Sequence, residues 1–403
     1  MDSNKILYIG SFFEKNREKE IWNNSKKWIV LPGSIFQTSL IKGFNQHENS
    51  IDQIINLPAI GSFPLRYRKL WFRSSKFKIN TIRGINGGFL NLTLIKNYSI
   101  YASIKKHTVR WAETNIETKK IIIVYSLIEP YIKAAISIKK RYPDTHVCCI
   151  VLDLPQYFDD KSSWIHSYFN RRSTKSIYKL VSQIDSFILL TEQMADFFKI
   201  KKKKPWLLLE GLYFPQERKI LPKKQKTILY TGKLDSRFGI VEMIEAFRLI
   251  NDKEYQLWIC GDGTDKIIVE NAVRQDSRIK YFGVLKHDQI LTMQTQATLL
   301  INPRKGDEEY TKYSFPSKTM EYMASGTPTV MYPLPGLPKE YNEYLIIVPD
   351  NAIETLKNIL VEWCNKTQKE IDVFGEKAKE FIVKNKNSTI QSKRILDFLK
   401  NHA

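Results

Sequence analysis

No apolar run in this chain reaches the roughly 18 residues that a bilayer-crossing helix needs, so a transmembrane helix is not expected. The first ten residues, MDSNKILYIG, hold one lysine and an apolar stretch too short for a signal-peptide core; they read as a first strand. Cysteine is scarce. Cys148, Cys149, Cys260 and Cys364 have neither metal-ligand nor disulfide-framework spacing, so reduced, mostly buried thiols in a cytosolic protein are expected. His107, His146, His166 and His287 are scattered, and neither a metal site nor a cofactor is expected.

Negative charge is missing from a long stretch: no Asp or Glu occurs between Asp52 and Glu113. Residues 1–215 hold 34 Lys+Arg against 17 Asp+Glu, a net of +17, whereas the rest hold 29 against 25, a net of +4. Inside the gap, PLRYRKLWFRSSKFK (Pro64–Lys78) interleaves Arg66, Arg68, Lys69, Arg73, Lys76 and Lys78 with Tyr67, Trp71, Phe72 and Phe77. Such a mixture suits an anionic membrane surface, where each charge contributes about 1 kcal/mol. It also suits nucleic acid, through phosphates and base stacking. A solvated basic face in a lysine-rich chain is the plain alternative. The membrane surface is the expectation, with Arg66, Arg68, Lys69, Trp71, Phe72 and Arg73 as contacts; nucleic acid is not expected as a partner.

The 403 residues, 43% hydrophobic and 12% aromatic, are enough for two ordinary domains with substantial cores. Candidate strands at Ile6–Ile9, Trp28–Leu31, Ile121–Tyr125, Val147–Leu152, Ser186–Leu190 and Pro205–Leu209 alternate with helical patterns such as Ile132–Arg141. Thr191 is placed to cap a helix at Glu192–Phe198. Asp52–Thr118 reads as an excursion carrying the basic patch. Lys201–Lys204 and Tyr213–Lys226, rich in proline and basic residues, look like a hinge. Beyond it, strand and helix alternate again to the C-terminus. This pattern predicts parallel α/β sheets in two similar halves, with a cleft between them and ligands at the carboxyl ends of the strands.

Ser314–Val330, SFPSKTMEYMASGTPTV, reads as a helix start, one amphipathic helix, a Gly326 stop and a buried strand. Ser314 is a candidate N-cap and Pro316 suits the first turn. Ser317 and Glu321 share a face, with Lys318 beside Glu321. A lysine near a helix N-terminus suits a pyrophosphate, and a carboxylate one turn deeper can take a ribose hydroxyl pair. A capped surface helix with a weak Lys–Glu pair is the other reading.

Four segments, in order, resemble the nucleotide-sugar-binding domain of family 4 glycosyltransferases of the bacterial capsule and exopolysaccharide type, which have the GT-B fold. They are YTGKLDSRFGIVEMIEAF (Tyr230–Phe247), LWICGDG (Leu257–Gly263), YFGVLKHDQI (Tyr281–Ile290) and the Ser314–Val330 segment. SFILLTEQMADFF (Ser186–Phe198) and LLLEGLYFP (Leu207–Pro215) look like the end of that family's acceptor domain. The resemblance implies two Rossmann-like domains facing across a cleft: 1–215 acceptor-binding and membrane-facing, 216–385 donor-binding, and 386–403 a helix returning to the first domain.

It further implies sugar transfer from a nucleotide diphosphate sugar, a UDP-sugar favoured, usually with retention and without metal. Lys233 stands where the family has arginine, and Phe238 where it has lysine, with Arg237 one position earlier as a substitute. Glu321 matches the second of two family glutamates and implies a ribose contact; Tyr313 replaces the first. Gly232, Gly261, Val284, Ser317, Lys318 and Arg304 fall at the donor side. Lys233, Arg237, Lys318 and Asp153 are the expected catalytic residues, Asp153 at the carboxyl end of a strand toward the acceptor hydroxyl. Gly33 and Ser34, in the loop LPGSIFQTSL, offer amides for a second phosphate cradle. The expected acceptor is a lipid-linked or oligosaccharide molecule of surface polysaccharide assembly, at the inner face of a membrane. A GT-B nucleotide-sugar epimerase and a scaffold that has lost catalysis are the alternatives.

Overall fold

Strands apolar on both faces need helices on either side of a parallel sheet, and alternating runs along the chain supply them. The structure, a computed structural model, describes every residue except 1–3, 27–31, 49, 159–163, 214, 216–218 and 220; the side chains of 157, 158 and 164–171 also lie outside the description. The chain divides into Met1–Leu212 with Ser388–Ala403, and Tyr213–Asn387.

The first unit contains β1 (Lys5–Gly10), β2 (Gln53–Asn56), β3 (Trp71–Phe72), β4 (Ser75–Ile79), β5 (Ile82–Asn86), β6 (Phe89–Leu90), β7 (Lys120–Tyr125), β8 (His146–Val151), β9 (Ser186–Leu189) and β10 (Trp206–Leu208). Its helices are α1 (Lys15–Asn24), α2 (Pro32–Phe44), α3 (Lys96–Glu113), α4 (Glu129–Arg141), α5 (Trp164–Val181) and α6 (Glu192–Phe197). Among the described residues eight strands form one sheet in the order β10-β9-β8-β7-β1-β2-β5-β4, with β4 antiparallel to β5 and the other pairings parallel. The pair β3–β6 is a separate antiparallel ribbon. Ile121–Val124 and Val147–Val151 are buried throughout, as central strands covered on both faces require. From β1 the chain adds β2 on one side and later β7 on the other, so the order switches between β1 and β7.

The second unit contains β11 (Thr227–Lys233), β12 (Gln256–Asp262), β13 (Ile279–Tyr281), β14 (Leu299–Asn302), β15 (Thr329–Met331) and β16 (Ile346–Ile347). Its helices are α7 (Ile240–Arg248), α8 (Lys266–Gln275), α9 (His287–Gln296), α10 (Ser317–Met323), α11 (Ile353–Cys364) and α12 (Gln368–Asn385). The described strands form a parallel sheet ordered β13-β12-β11-β14-β15-β16. Counted within the unit this is 3-2-1-4-5-6, and the direction of winding switches between β11 and β14. Phe247, Leu257, Leu299 and Val330 pack in its core with no exposed surface. The last helix, α13 (Ser388–His402), belongs to the first unit: it packs on α2, and His47 Nε2 lies 2.9 Å from the Thr389 carbonyl oxygen.

Several elements differ from the sequence expectation. Trp28–Leu31 lies outside the described residues. Asp52–Thr118 is not an excursion: β2, β4 and β5 extend the main sheet, α3 packs against β2 and α4, and only the β3–β6 ribbon forms a separate sheet. Strands of two to five residues interrupted by lysine carry too little periodicity to be seen beforehand. Ser314 does not cap α10. It ends the preceding 3-10 turn Glu309–Tyr313, and Pro316 occupies the N-cap position. Thr191 sits at the N-cap of α6, but its hydroxyl makes no capping bond there.

Candidate functional site

The switch between β11 and β14 gathers the most unusual chemistry of the second unit. Two glycines shape it. Gly261 has φ +141°, and a Cβ there would lie 1.8 Å from the Gly232 carbonyl oxygen, so β11 and β12 can close at their carboxyl ends only with glycine. Gly239 has φ +79°, and its Cβ would meet the Pro303 carbonyl at 2.0 Å; this lets the start of α7 press against the end of β14.

Helix α10 is fixed over β11 by one buried phenol. The Tyr322 hydroxyl accepts the Thr231 amide at 2.8 Å and donates to the Thr231 carbonyl at 3.0 Å. Burial pushes this phenol well above its ordinary pKa, so it stays protonated and can donate. Lys318, one turn earlier on the same face, then lies with Nζ 3.4 Å from Thr231 Oγ1. Lys318 and Ser317 are exposed. Because α10 has only seven residues, its dipole is short, and anion attraction at this end falls mainly on the Lys318 ammonium. Glu321 is oriented by Gln294, whose amide donates to Oε1 at 2.6 Å, and Oε2 is 3.8 Å from His287 Nε2.

After β11 the chain bears Lys233 and Arg237, both exposed. Arg237 is not the free phosphate ligand the sequence implied. Its Nε and Nη2 donate to the Asp235 carboxylate at 2.9 and 2.6 Å, a bidentate fork that uses two of its donors within the loop. Lys233 Nζ approaches the same carboxylate at 3.9 Å. The Arg237 bond, acting against burial, holds the Asp235 carboxyl at about 2, below the usual carboxylate range. A lowered folded pKa gives stability that is present above about pH 4 and lost as pH falls toward 2. After screening at the exposed guanidinium this is worth about 1 kcal/mol. Urea unfolding across that window is expected to show the loss, and Asp235→Asn is expected to flatten it; an unchanged slope would remove Asp235 from this role.

Arg304, just past β14, is buried, and among the described residues no carboxylate pairs with it. Its guanidinium lies 4.6 Å from the Tyr310 ring centroid and 5.7 Å from that of Phe238. Nη2 donates to Ser314 Oγ at 2.9 Å, whereas Nε has no hydrogen-bond partner. Burial pulls its pKa below the ordinary arginine value. Four cations thus flank the switch, with one buried carboxylate among them. Gly232 and Gly261 end their strands there, and Val284, 75% exposed, follows β13. Asp307 is engaged by the Asn351 amide at 3.3 Å.

In the first unit, Gly33 and Ser34 belong to the first turn of α2, not to a loop. A helix start leaves such amides without intrahelical acceptors. Ser34 Oγ is taken by the Phe13 amide at 2.9 Å, so its hydroxyl is structural. A Cβ on Gly33 would lie 3.0 Å from the Tyr125 hydroxyl at the end of β7. Burial, and then the charge of Asp153, push that phenol up. Asp153 follows β8, and desolvation by the protein around it raises its own carboxyl even though the residue keeps exposed surface. Gly33, Tyr125 and Asp153 are therefore neighbours beside the switch of this sheet. Phe72 is corrected: it is buried against Phe89, with ring centroids 5.3 Å apart, and Arg17 lies over it. Lys69 pairs with Glu20 at 3.0 Å. Arg66, Arg68, Trp71 and Arg73 are exposed.

Sequence reasoning missed Tyr322, Gln294, Asp235 and Tyr310. The spacing of Lys318, Glu321 and Tyr322 was visible, but the strand and helix they bond were not. Among the described residues no group of three or more His, Cys, Asp or Glu is arranged to hold a metal.

Residues 225–365 match the family model described as Glycosyl transferases group 1. The whole chain is similar in fold to sucrose-phosphate synthase from Thermosynechococcus elongatus (14% identity, TM-score 0.63, 99% of this chain and 100% of that one). It is similar to the lipopolysaccharide outer core galactosyltransferase WaaB (14%, 0.64, 99% and 100%). It is also similar to the E. coli trehalose-6-phosphate structure bound with UDP-2-fluoro glucose (10%, 0.65, 98% and 99%). No curated protein sequence matches the chain. The fold is that of the GT-B glycosyltransferases, two Rossmann-like domains in one chain. The group 1 match falls within the second of them.

Proposed function

We propose that this chain is a glycosyltransferase that moves a hexose-type sugar from a nucleotide diphosphate sugar to a lipid-linked or oligosaccharide acceptor. A UDP-sugar is the favoured donor, transfer proceeds with retention and without a metal, and the product belongs to surface polysaccharide. The observation that carries this is the cluster Lys233, Arg304 and Lys318 at the β11/β14 switch of a 3-2-1-4-5-6 sheet, where ligands of such sheets bind. A UDP-sugar analogue in one protein of similar fold supports the donor class. The galactosyltransferase named among the similar structures supports the acceptor class.

In this reading the anomeric C–O bond to the diphosphate breaks while a bond to the acceptor oxygen forms. Lys318, Lys233 and Arg304 stabilise the negative charge that gathers on the leaving diphosphate. Glu321, held by Gln294, takes the ribose hydroxyls. Asp153, whose carboxyl desolvation makes more basic than usual, orients the acceptor hydroxyl and takes its proton. The enzyme works at the inner face of a membrane, where its positive first unit draws an anionic carrier.

The test is calorimetric titration with UDP, GDP, ADP and dTDP in the absence of metal. Tight binding of one nucleotide supports the reading and names the base, whereas no binding by any would sink it. Asp153→Asn is expected to lower turnover by about 10²-fold or more with donor affinity unchanged. Loss of donor affinity at unchanged turnover would take Asp153 out of the acceptor role.

A further inference from the structure

The first unit carries a surface with no part in donor binding. In the ribbon, Trp71 faces Leu90 and Phe72 faces Phe89, so the phenylalanines stack inward and Trp71 is left outside. The Asn91 amide donates to the Leu70 carbonyl at 2.7 Å, and the Phe63 amide donates to the Asn91 carbonyl at 2.8 Å. These bonds bring the loop holding Leu65 beside the segment Leu92–Tyr98. Leu65, Leu94 and Tyr98 are each at least 74% exposed, and Trp71 is 60% exposed. Contiguous large apolar side chains in water mark an interaction surface. Arg66, Arg68 and Arg73, all exposed, are interleaved with them.

Both segments run on into a cavity of about 520 Å³. Ser74, just past the ribbon strand, and Ser75 and Lys76 of β4 line one side of it, and Lys106, His107 and Arg110 of α3 line the other; no Asp or Glu does. Lys106 and Arg110 are one turn apart, a like-charge pair that costs stability unless an anion sits between. Burial, followed by those two charges, depresses the His107 pKa, so the cavity is positive without it.

We propose that this face docks on an anionic phospholipid bilayer: Leu65, Trp71, Leu94 and Tyr98 enter the boundary between headgroups and acyl chains, and the cavity of Lys76, Lys106 and Arg110 seats a headgroup phosphate. Aliphatic tips such as Leu65 and Leu94 gain from acyl chains and have nothing to stack on in a nucleic acid, which decides between the two polyanions. The inference deepens the membrane part of the proposed function, and its test uses no nucleotide.

The experiment is co-sedimentation of the full chain with vesicles of phosphatidylcholine alone or with about one third phosphatidylglycerol. Wild type is expected to bind the anionic vesicles at least about tenfold better. Leu65→Glu with Leu94→Glu is expected to lose about tenfold or more of that binding. Lys106→Ala with Arg110→Ala is expected to lose most of the preference for anionic lipid. Equal binding to both vesicles, or full binding by either double variant, would overturn the proposal. Loss in the Lys106/Arg110 variant alone would mark a purely electrostatic surface of the kind a nucleic acid uses, and would also overturn it. Circular dichroism and the thermal midpoint of each variant show that the fold is intact, and because no nucleotide is used, failure here stays separate from failure of the donor site.

Discussion

Lys318→Ala is expected to lower turnover by about 30- to 1,000-fold, roughly 2–4 kcal/mol in the barrier, while leaving the fold intact. The size follows from position. Lys318 sits at the exposed end of α10, held over the end of β11 by the Tyr322–Thr231 bonds, which on the proposed function is where charge gathers on the leaving diphosphate. Among the described residues its side chain makes one long hydrogen bond, to Thr231, so little stability rests on it. Surface changes of this kind usually stay within about 0.5 kcal/mol. Turnover with a nucleotide sugar and the thermal midpoint, measured on the same samples, check both parts. Lys318→Arg is expected to recover part of the rate by keeping the charge. A variant that unfolds, or that turns over normally, would make α10 a structural helix.

Arg304→Met is expected to leave the protein as stable as wild type or more so, by up to about 2 kcal/mol, while nucleotide affinity falls at least about tenfold. A buried guanidinium without a carboxylate carries a desolvation cost of several kcal/mol. The Tyr310 and Phe238 rings return about 1–2 kcal/mol, and the bond to Ser314 returns a similar amount. On the proposed function, a donor diphosphate would match what remains uncompensated. Methionine fills the volume without the charge. Denaturant unfolding with and without UDP separates the outcomes. A variant destabilised by more than about 2 kcal/mol would mean that Arg304 serves the core rather than a ligand.

The second unit was largely legible in the sequence because its strands are continuous apolar runs buried on both faces. Ile228–Tyr230, Leu257–Cys260 and Leu299–Ile301 could hardly be anything else. Gly326, expected as a helix stop, takes φ +74° after α10. The middle of the first unit was not legible. β2 joins β1 and β5, both far away in sequence, and β4 reaches the sheet only through its hairpin with β5, so these short runs signal nothing until the sheet is present.

The sequence by itself determined the fold class, the order of elements in the second unit, the lopsided charge and which of that unit's residues fall at strand ends, since each depends on local pattern or composition. Only tertiary structure decided which of those residues are available. Arg237 is claimed by Asp235, Ser34 by the Phe13 amide and Phe72 by the core, whereas Arg304 is buried with no carboxylate beside it among the described residues. Leu65 and Leu94 became one surface through the hydrogen bonds around Asn91. Burial and partnership arise from contacts between distant segments, and nothing in the local pattern encodes them.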